Sequence, residues 1–227
     1  MTGLRRARSP EDKQQRRQDI LDHAWELFRT RPWSELTMSD VAEASGLSKA
    51  ALYRYFETKE ALFLEVEAER LGEWLEALGS ELDRLPRPSS PEAVGALIAD
   101  SLVARPGLPR LLALLHVSLE QNVSFDAALV FKRALKDWLA RVGARLEAAL
   151  DSLPPGTGLE AALHLHALCV GLWQAADAGP VVRRLLERPE LRPLRIDFRP
   201  ALATGAATLL RGLLARETPA RVPATRR

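Results

Sequence analysis

Seven residues between positions 49 and 59 carry chemistry suited to one task. Lys49, Arg54 and Lys59 bring positive charge, Tyr53 and Tyr55 bring phenolic hydroxyls, and Ala50 and Ala51 bring almost no bulk. Small side chains let a helix approach a surface closely, cations take phosphates or guanine edges, and phenols donate to phosphate. Leu52 and Phe56 are four apart and so share the opposite, inward face of a helix expected over Lys49–Phe56. The combination fits the floor of a DNA major groove. With alanine at 50 and 51, methyl contact with thymine is the base contact open to that part of the helix.

The elements that must hold this surface can be read on either side of it. Thr37 is placed to cap a short helix by accepting from a backbone N–H near Asp40, and Val41 and Ala42 supply its inward stripe. Ser45-Gly46 ends that helix with a residue that tolerates positive φ, Leu47 plugs the turn, and Ser48 caps the next helix. Thr37 and Ser48 are also within reach of phosphate. Ahead of this pair, a helix from about Pro10 to Thr30 opens on Pro10, Glu11 and Asp12 and carries an apolar stripe of Ile20, Leu21, Ala24, Leu27 and Phe28. The pattern is a helix-turn-helix.

The runs Thr37-Met38-Ser39-Asp40-Val41-Ala42, Gly46-Leu47-Ser48-Lys49, Leu52-Tyr53-Arg54-Tyr55-Phe56 and Lys59-Glu60-Ala61-Leu62 resemble the DNA-binding segment of TetR-family (tetracycline-repressor-like) transcriptional regulators. The likeness runs from Ile20 to about Leu64 and agrees in order, spacing and residue type. It departs at Ala50 and Ala51, where members of the family often have Gly and Thr. The resemblance implies an all-α chain: an N-terminal three-helix DNA-binding domain followed by a C-terminal helical domain for effector binding and dimerisation, about nine helices in all. It also implies a homodimer that pairs through its last two long helices and reads a palindromic operator on double-stranded DNA.

Composition permits this without announcing it. The net charge of the 227 residues is +2, but residues 1–17 hold Arg5, Arg6, Arg8, Lys13, Arg16 and Arg17 against Glu11 and Asp12. Two readings of that stretch stand together: a solvated tail over residues 1–9, and a basic arm adding phosphate or minor-groove contacts. A single cysteine, Cys169, excludes an intramolecular disulfide framework and fits a reducing cytoplasm; apolar neighbours make it a small buried hydrophobe. No run approaches the ~20 apolar residues of a membrane span, and the basic start has no apolar stretch behind it, so neither a membrane partner nor a secretion signal is expected. There is no phosphate-cradling glycine loop, no Cys/His cluster and no nucleophile elbow, so enzyme, metal and cofactor readings find no support. His164 and His166, two apart, lie about 200° around a helix from each other and do not chelate one metal together.

Beyond the reading head, a helix from Lys59 to about Leu85 would be roughly 40 Å long. Gly72 and Gly79 weaken it locally, and a shift of its far end would tilt the reader. Pro86–Pro91 reads as a linker. Further helices follow over about Pro91–Ala104, Pro109–Gln121, Ser124–Leu150, Leu159–Ala178 and Arg199–Ala215, with a short one near Val181–Glu187. The expected division is residues 1–58 for DNA binding, 59–216 for effector and dimerisation, and a disordered tail over 217–227.

Small residues on the helices near 159–178 and 199–215 allow close approach, either within one chain or between two copies. Pairing is favoured because one short recognition helix reads too few base pairs. Polar and aromatic residues on otherwise apolar helices are the effector candidates: His116, Glu120, Asn122, Phe131, Trp138, Trp173, Gln174 and Asp177. For any one of them a satisfied core or interface group is the stronger reading, and a pocket is favoured over any single member of it. The expectation is a homodimeric repressor released by a small molecule. An activator or effector-independent regulator on the same fold, and a helical module without DNA binding, are the alternatives.

Overall fold

The computed structural model describes residues 9–115, 118–151 and 153–216, and the backbone alone at Glu120 and Gln121. Among the described residues there are helices and turns but no strand. The chain divides into two compact units, Met1–Glu73 with Arg105–Lys136 and Trp74–Ala104 with Asp137–Arg227.

The first unit contains α1 (Pro10–Thr30), α2 (Met38–Ala44) and α3 (Lys49–Leu52). It also takes the first part of α4 (Lys59–Arg84), then α6 (Leu108–Leu114) and the start of α7 (Phe125–Leu150). Each early helix begins where its sequence can satisfy the orphan N–H groups. At α1, Ser9 accepts from the Asp12 N–H at 3.0 Å while the Asp12 carboxylate accepts from the Ser9 N–H, with Pro10 at the first helical position. At α2, Thr37 and Asp40 repeat the same reciprocal pair. At α3, the Ala51 N–H donates to the Ser48 hydroxyl at 3.2 Å. Between α2 and α3, Gly46 sits at φ +64 and the Leu47 N–H reaches back to the Ala42 carbonyl at 2.8 Å. That left-handed position closes the helix end, and L side chains resist it.

Two expected boundaries moved. The helix over Lys49–Phe56 is regular only to Leu52; the Arg54 and Tyr55 N–H groups then bond three residues back, a tightened final turn. The helix over Pro109–Gln121 stops at Leu114, and a 3₁₀ turn covers Leu119–Asn122.

The second unit holds α5 (Pro91–Val103), α8 (Gly158–Ala176), α9 (Pro180–Leu185) and α10 (Phe198–Leu214), with the end of α4 and most of α7. In α4, Gly79 makes room for a side chain: a Cβ there would lie 2.3 Å from Nη1 of Arg145, which pairs with Asp83 at 3.2 Å. Helix α10 packs chiefly on α5 and then on α8. Gly95 of α5 lies so close that a Cβ would stand 2.5 Å from the Ala203 carbonyl oxygen. Part of the small-residue face of α10 is therefore spent inside the chain. Cys169 is buried, which pushes its thiol up to about 12 and keeps it protonated at neutral pH.

Within one chain helix α8 is covered on part of its circumference. Ala161, Ala162, Leu165 and Cys169 are buried, whereas Leu163 is 48% exposed and His164, Ala167, Gly171 and Gln174 are exposed with it. Those positions recur at three and four, so they form one bare stripe. No helix among the described residues is long and apolar enough to cross a membrane.

Candidate nucleic-acid interface

The reading surface is held from behind by three polar clamps, none of them readable from local spacing. Arg17 of α1 grips Glu65 of α4 with two nitrogens, donates to the Tyr55 carbonyl at 3.0 Å and lies 4.3 Å from the centre of the Phe56 ring. It fixes the last turn of the recognition element. Counted with the basic N-terminal stretch on sequence, Arg17 is a structural residue, and Arg16 pairs with Asp19. Arg31 reaches Asp40 at 2.9 Å, joining the end of α1 to the start of α2.

Lys59 departs from the expectation of a side chain open to phosphate. Its ammonium donates to the carbonyls of Trp33 at 3.1 Å and Leu36 at 2.9 Å and stands 3.8 Å from the Trp33 ring centre. Partial burial pushes its pKa down, opposed by the Glu60 charge. The group is used to close the loop between α1 and α2 onto α4. Trp33 in turn meets Phe63 edge-on at 5.0 Å, Phe63 meets Phe28 at 5.7 Å, and the Arg110 guanidinium covers Phe28 at 4.1 Å.

In front of these clamps the other expected residues stand differently. Lys49, Ala50 and Arg54 are exposed, Tyr53 is 44% exposed, and Ala51 and Tyr55 are half-buried. Among the described residues neither Lys49 nor Arg54 makes an ion pair, and no partner takes the Tyr53 or Tyr55 hydroxyl. Leu52 and Phe56 face inward as expected, both buried. Thr37 and Ser48 are exposed and occupied as caps.

Asp40 shows how firmly the frame is set. The Thr37 hydroxyl, Arg31 and the Thr37 N–H together lower its pKa from 3.8 to about 2. A depressed carboxyl contributes stability that is complete above the unfolded value and lost as pH falls through the folded one. The first unit of the wild type is expected to lose this contribution between about pH 4 and pH 2. Asp40→Ala should flatten the acid limb of a circular-dichroism stability profile in that window. An unchanged profile would remove the clamp from the account.

The described effector candidates are divided between the two units. His116 and the Glu120 side chain lie outside the described residues, as do Arg5, Arg6 and Arg8 of the arm and the tail over 217–227. Asn122 is exposed, and its carbonyl accepts from the Thr58 hydroxyl at 3.3 Å; Phe131 is buried in the first unit. In the second unit Trp138 is half-buried and Gln174 exposed. Trp173 and Asp177 do meet, in a cavity of about 460 Å³ between the end of α8, α9 and the start of α10. Sequence reasoning had no signal for Arg183, Leu186, Glu187, Arg195, Ile196 and Asp197 of that lining, because they come from the connection over 178–197.

Residues 20–66 match the family described as "Bacterial regulatory proteins, tetR family", and residues 68–217 match "Tetracyclin repressor-like, C-terminal domain". The chain belongs to the TetR family. This TetR-family chain is 45% identical over 56 residues to an HTH-type transcriptional regulator of Mycobacterium tuberculosis, a stretch that is 23% of the chain and 28% of that relative. It is 41% identical over 46 residues to AlkX, another HTH-type transcriptional regulator of M. tuberculosis, covering 20% of the chain and 22% of AlkX. The chain thus spans about a quarter of the length of these curated relatives.

Over most of its length it shares the fold of a TetR transcriptional regulator from Rhodococcus sp. RHA1 (TM-score 0.54, 21% identity, 91% of this chain and 100% of that one). It is similar as well to Thermus thermophilus FadR, a TetR-family transcriptional repressor solved in complex with lauroyl-CoA (TM-score 0.51, 23% identity, 90% and 98% covered). At such identities the likeness is one of fold alone. The family is one of bacterial regulatory proteins, and the relatives matched over the helix-turn-helix segment are HTH-type transcriptional regulators.

Proposed function

We propose that two copies of this chain pair through α8 and α10, seat their reading heads on a palindromic operator as a repressor, and leave it when a small molecule binds. The observation that carries the reading is the contrast across the first unit. Arg17, Arg31, Arg70 and Lys59 are all committed to internal partners, while Lys49, Tyr53 and Arg54 stand exposed on the recognition element with no side-chain partner among the described residues. Arg54 is assigned to a base edge, and Lys49, Tyr53 and Tyr55 to phosphate; Ala50 and Ala51 let the helix approach. Thr37 and Ser48 touch phosphate through groups already oriented by capping. Lys59 acts from behind, by fixing the loop.

Pairing is supported by the bare stripe on α8, in which Leu163, Ala167 and Gly171 stand among His164 and Gln174, and by exposed Thr208 and Gly212 on α10. An exposed stripe carrying a large apolar side chain and small residues, rimmed by polar ones, ordinarily marks a contact surface. Two heads set by a two-fold axis read two half-sites about one helical turn apart, which a single four-residue α3 has no means of doing. Release follows if an effector binds better to the arrangement in which α4 is swung off the operator spacing; the size of the response is set by that differential affinity.

The test is a titration of promoter duplexes followed by gel shift and sedimentation. Two chains, one pair, are expected per palindrome, with affinity falling steeply as salt rises. One chain per duplex, or binding indifferent to the palindrome, would sink the dimeric reading. A protected site overlapping the promoter start supports repression; one lying upstream of it would instead make the protein an activator.

A further inference from the structure

Charged residues of the second unit mostly satisfy one another. Arg141 pairs with Glu76, Arg199 takes Asp100 with two nitrogens at 2.7 and 3.0 Å, Arg211 pairs with Glu92 and Arg216 with Glu160. The cavity at the end of α8 breaks this habit. Arg183 and Arg195 line it together with Asp177, Glu187 and Asp197, and no ion pair forms between the two sets. Among the described residues, the only side-chain bond of these arginines runs from Arg183 to the Ala178 carbonyl at 3.2 Å. Between the charges stands an apolar wall in which Trp173 meets Phe198 edge-to-face at 5.1 Å, with Leu186 and Ile196 beside them.

We infer that this cavity binds a small zwitterion with an apolar or aromatic body, of the kind represented by a free aromatic amino acid. A plain anion would face three carboxylates, and a plain cation would face two guanidiniums. A molecule carrying both charges answers each set at once, its carboxylate forked by Arg183 and Arg195 and its ammonium on Asp177. The ammonium end also lies where α8 terminates, and helix C-termini favour positive charge. The body rests on the Trp173–Phe198 corner, where ring edges and faces supply contact area. At about 460 Å³ the space is in the range of small-molecule sites. The regulatory consequence rests on the reading above, because α8 and α10 are the helices proposed to pair the two copies; the binding itself does not.

Calorimetric titration of the full chain with L-tryptophan, N-acetyl-L-tryptophan and L-tryptophanamide tests it. L-Tryptophan is expected to bind at least ~10-fold more tightly than the acetylated or amidated probe, since each of those loses one charge-assisted contact. Arg195→Ala, at an exposed position that leaves the fold intact by circular dichroism, should weaken L-tryptophan about tenfold and leave L-tryptophanamide unchanged. Equal binding of the three probes, no saturable heat at millimolar probe, or an Arg195→Ala effect on all three alike would overturn the inference. Gel shift without any probe keeps the two readings apart. Operator binding with no probe binding defeats this inference alone, whereas probe binding without operator binding defeats the regulator reading and leaves this one standing.

Discussion

A methyl group at Gly158 is expected to lower the unfolding free energy of the second unit by about 2–3 kcal/mol, the upper part of the range for overpacking. A Cβ on Gly158 would lie 2.2 Å from the carbonyl oxygen and 2.5 Å from the carbonyl carbon of Gly143. Seen from the other side, a Cβ on Gly143 would lie 2.5 Å from the Gly158 carbonyl carbon and 2.6 Å from the Leu159 nitrogen. Both obstacles are backbone, which has no rotamer to yield. The same methyl would stand 2.8 Å from Oε1 of Glu147, the oxygen that accepts from the Gly156 N–H at 2.9 Å and the Gly158 N–H at 2.7 Å. That carboxylate serves as the cap of α8, since Thr157 makes no side-chain cap bond. Steric overlap and a lost cap therefore act together and outweigh the helix propensity that alanine gains over glycine, about 1 kcal/mol. Urea unfolding followed by circular dichroism measures the difference; a change within about 0.5 kcal/mol of zero, the ordinary scatter of surface substitutions, would show that α7 and α8 do not approach this closely.

The second large effect is expected on DNA rather than on folding. Arg54→Ala should cost about 1–3 kcal/mol of operator affinity, concentrated at one base pair of each half-site. The thermal midpoint should barely move, because the guanidinium has no internal partner among the described residues. Tyr53→Phe should weaken every duplex by a similar small factor, as loss of a phosphate contact does. Arg17→Ala should show the opposite profile. It abandons Glu65, the Tyr55 carbonyl and the Phe56 ring, so the midpoint falls and all sequences are bound less well. A quantitative gel-shift series over single-base operator variants reads these patterns. An Arg54→Ala variant with unchanged affinity and unchanged base preference would move the base-reading role elsewhere.

The two cases separate what kinds of information the chain carries. Helix starts at Pro10, Met38 and Lys49 were legible because capping is local: a side chain and an N–H three residues apart meet whenever the helix forms. The bend at Gly46, the inward pair Leu52 and Phe56 and the outward Lys49, Tyr53 and Arg54 follow from the same short periodicities. Expectations failed where distant partners decide. Nothing in the spacing around Lys59 tells that Trp33 and Leu36, 26 and 23 residues earlier, would present their carbonyls to it. A lysine on the first turn of a helix next to the reading head is a fair phosphate ligand until the fold turns it inward.

The small residues of α8 and α10 teach the same lesson at larger scale. Their composition announced a close approach but not with whom. The fold assigns Ala203 and Ala207 to Gly95 of α5, and it leaves Leu163, Ala167 and Gly171 bare.

By itself, then, the sequence determined that the chain is helical, where most helices begin, and that residues 37–56 form a helix-turn-helix with a cationic, phenolic outer surface. These depend on contacts within about one turn of chain, which spacing encodes directly. Only the tertiary structure decided which cations remain available to a partner, which glycines are demanded by touching backbones, and that Trp173 and Asp177 share a cavity with Arg183 and Arg195. Those outcomes depend on residues far apart in the chain arriving at one place, and no periodicity records the distance between them.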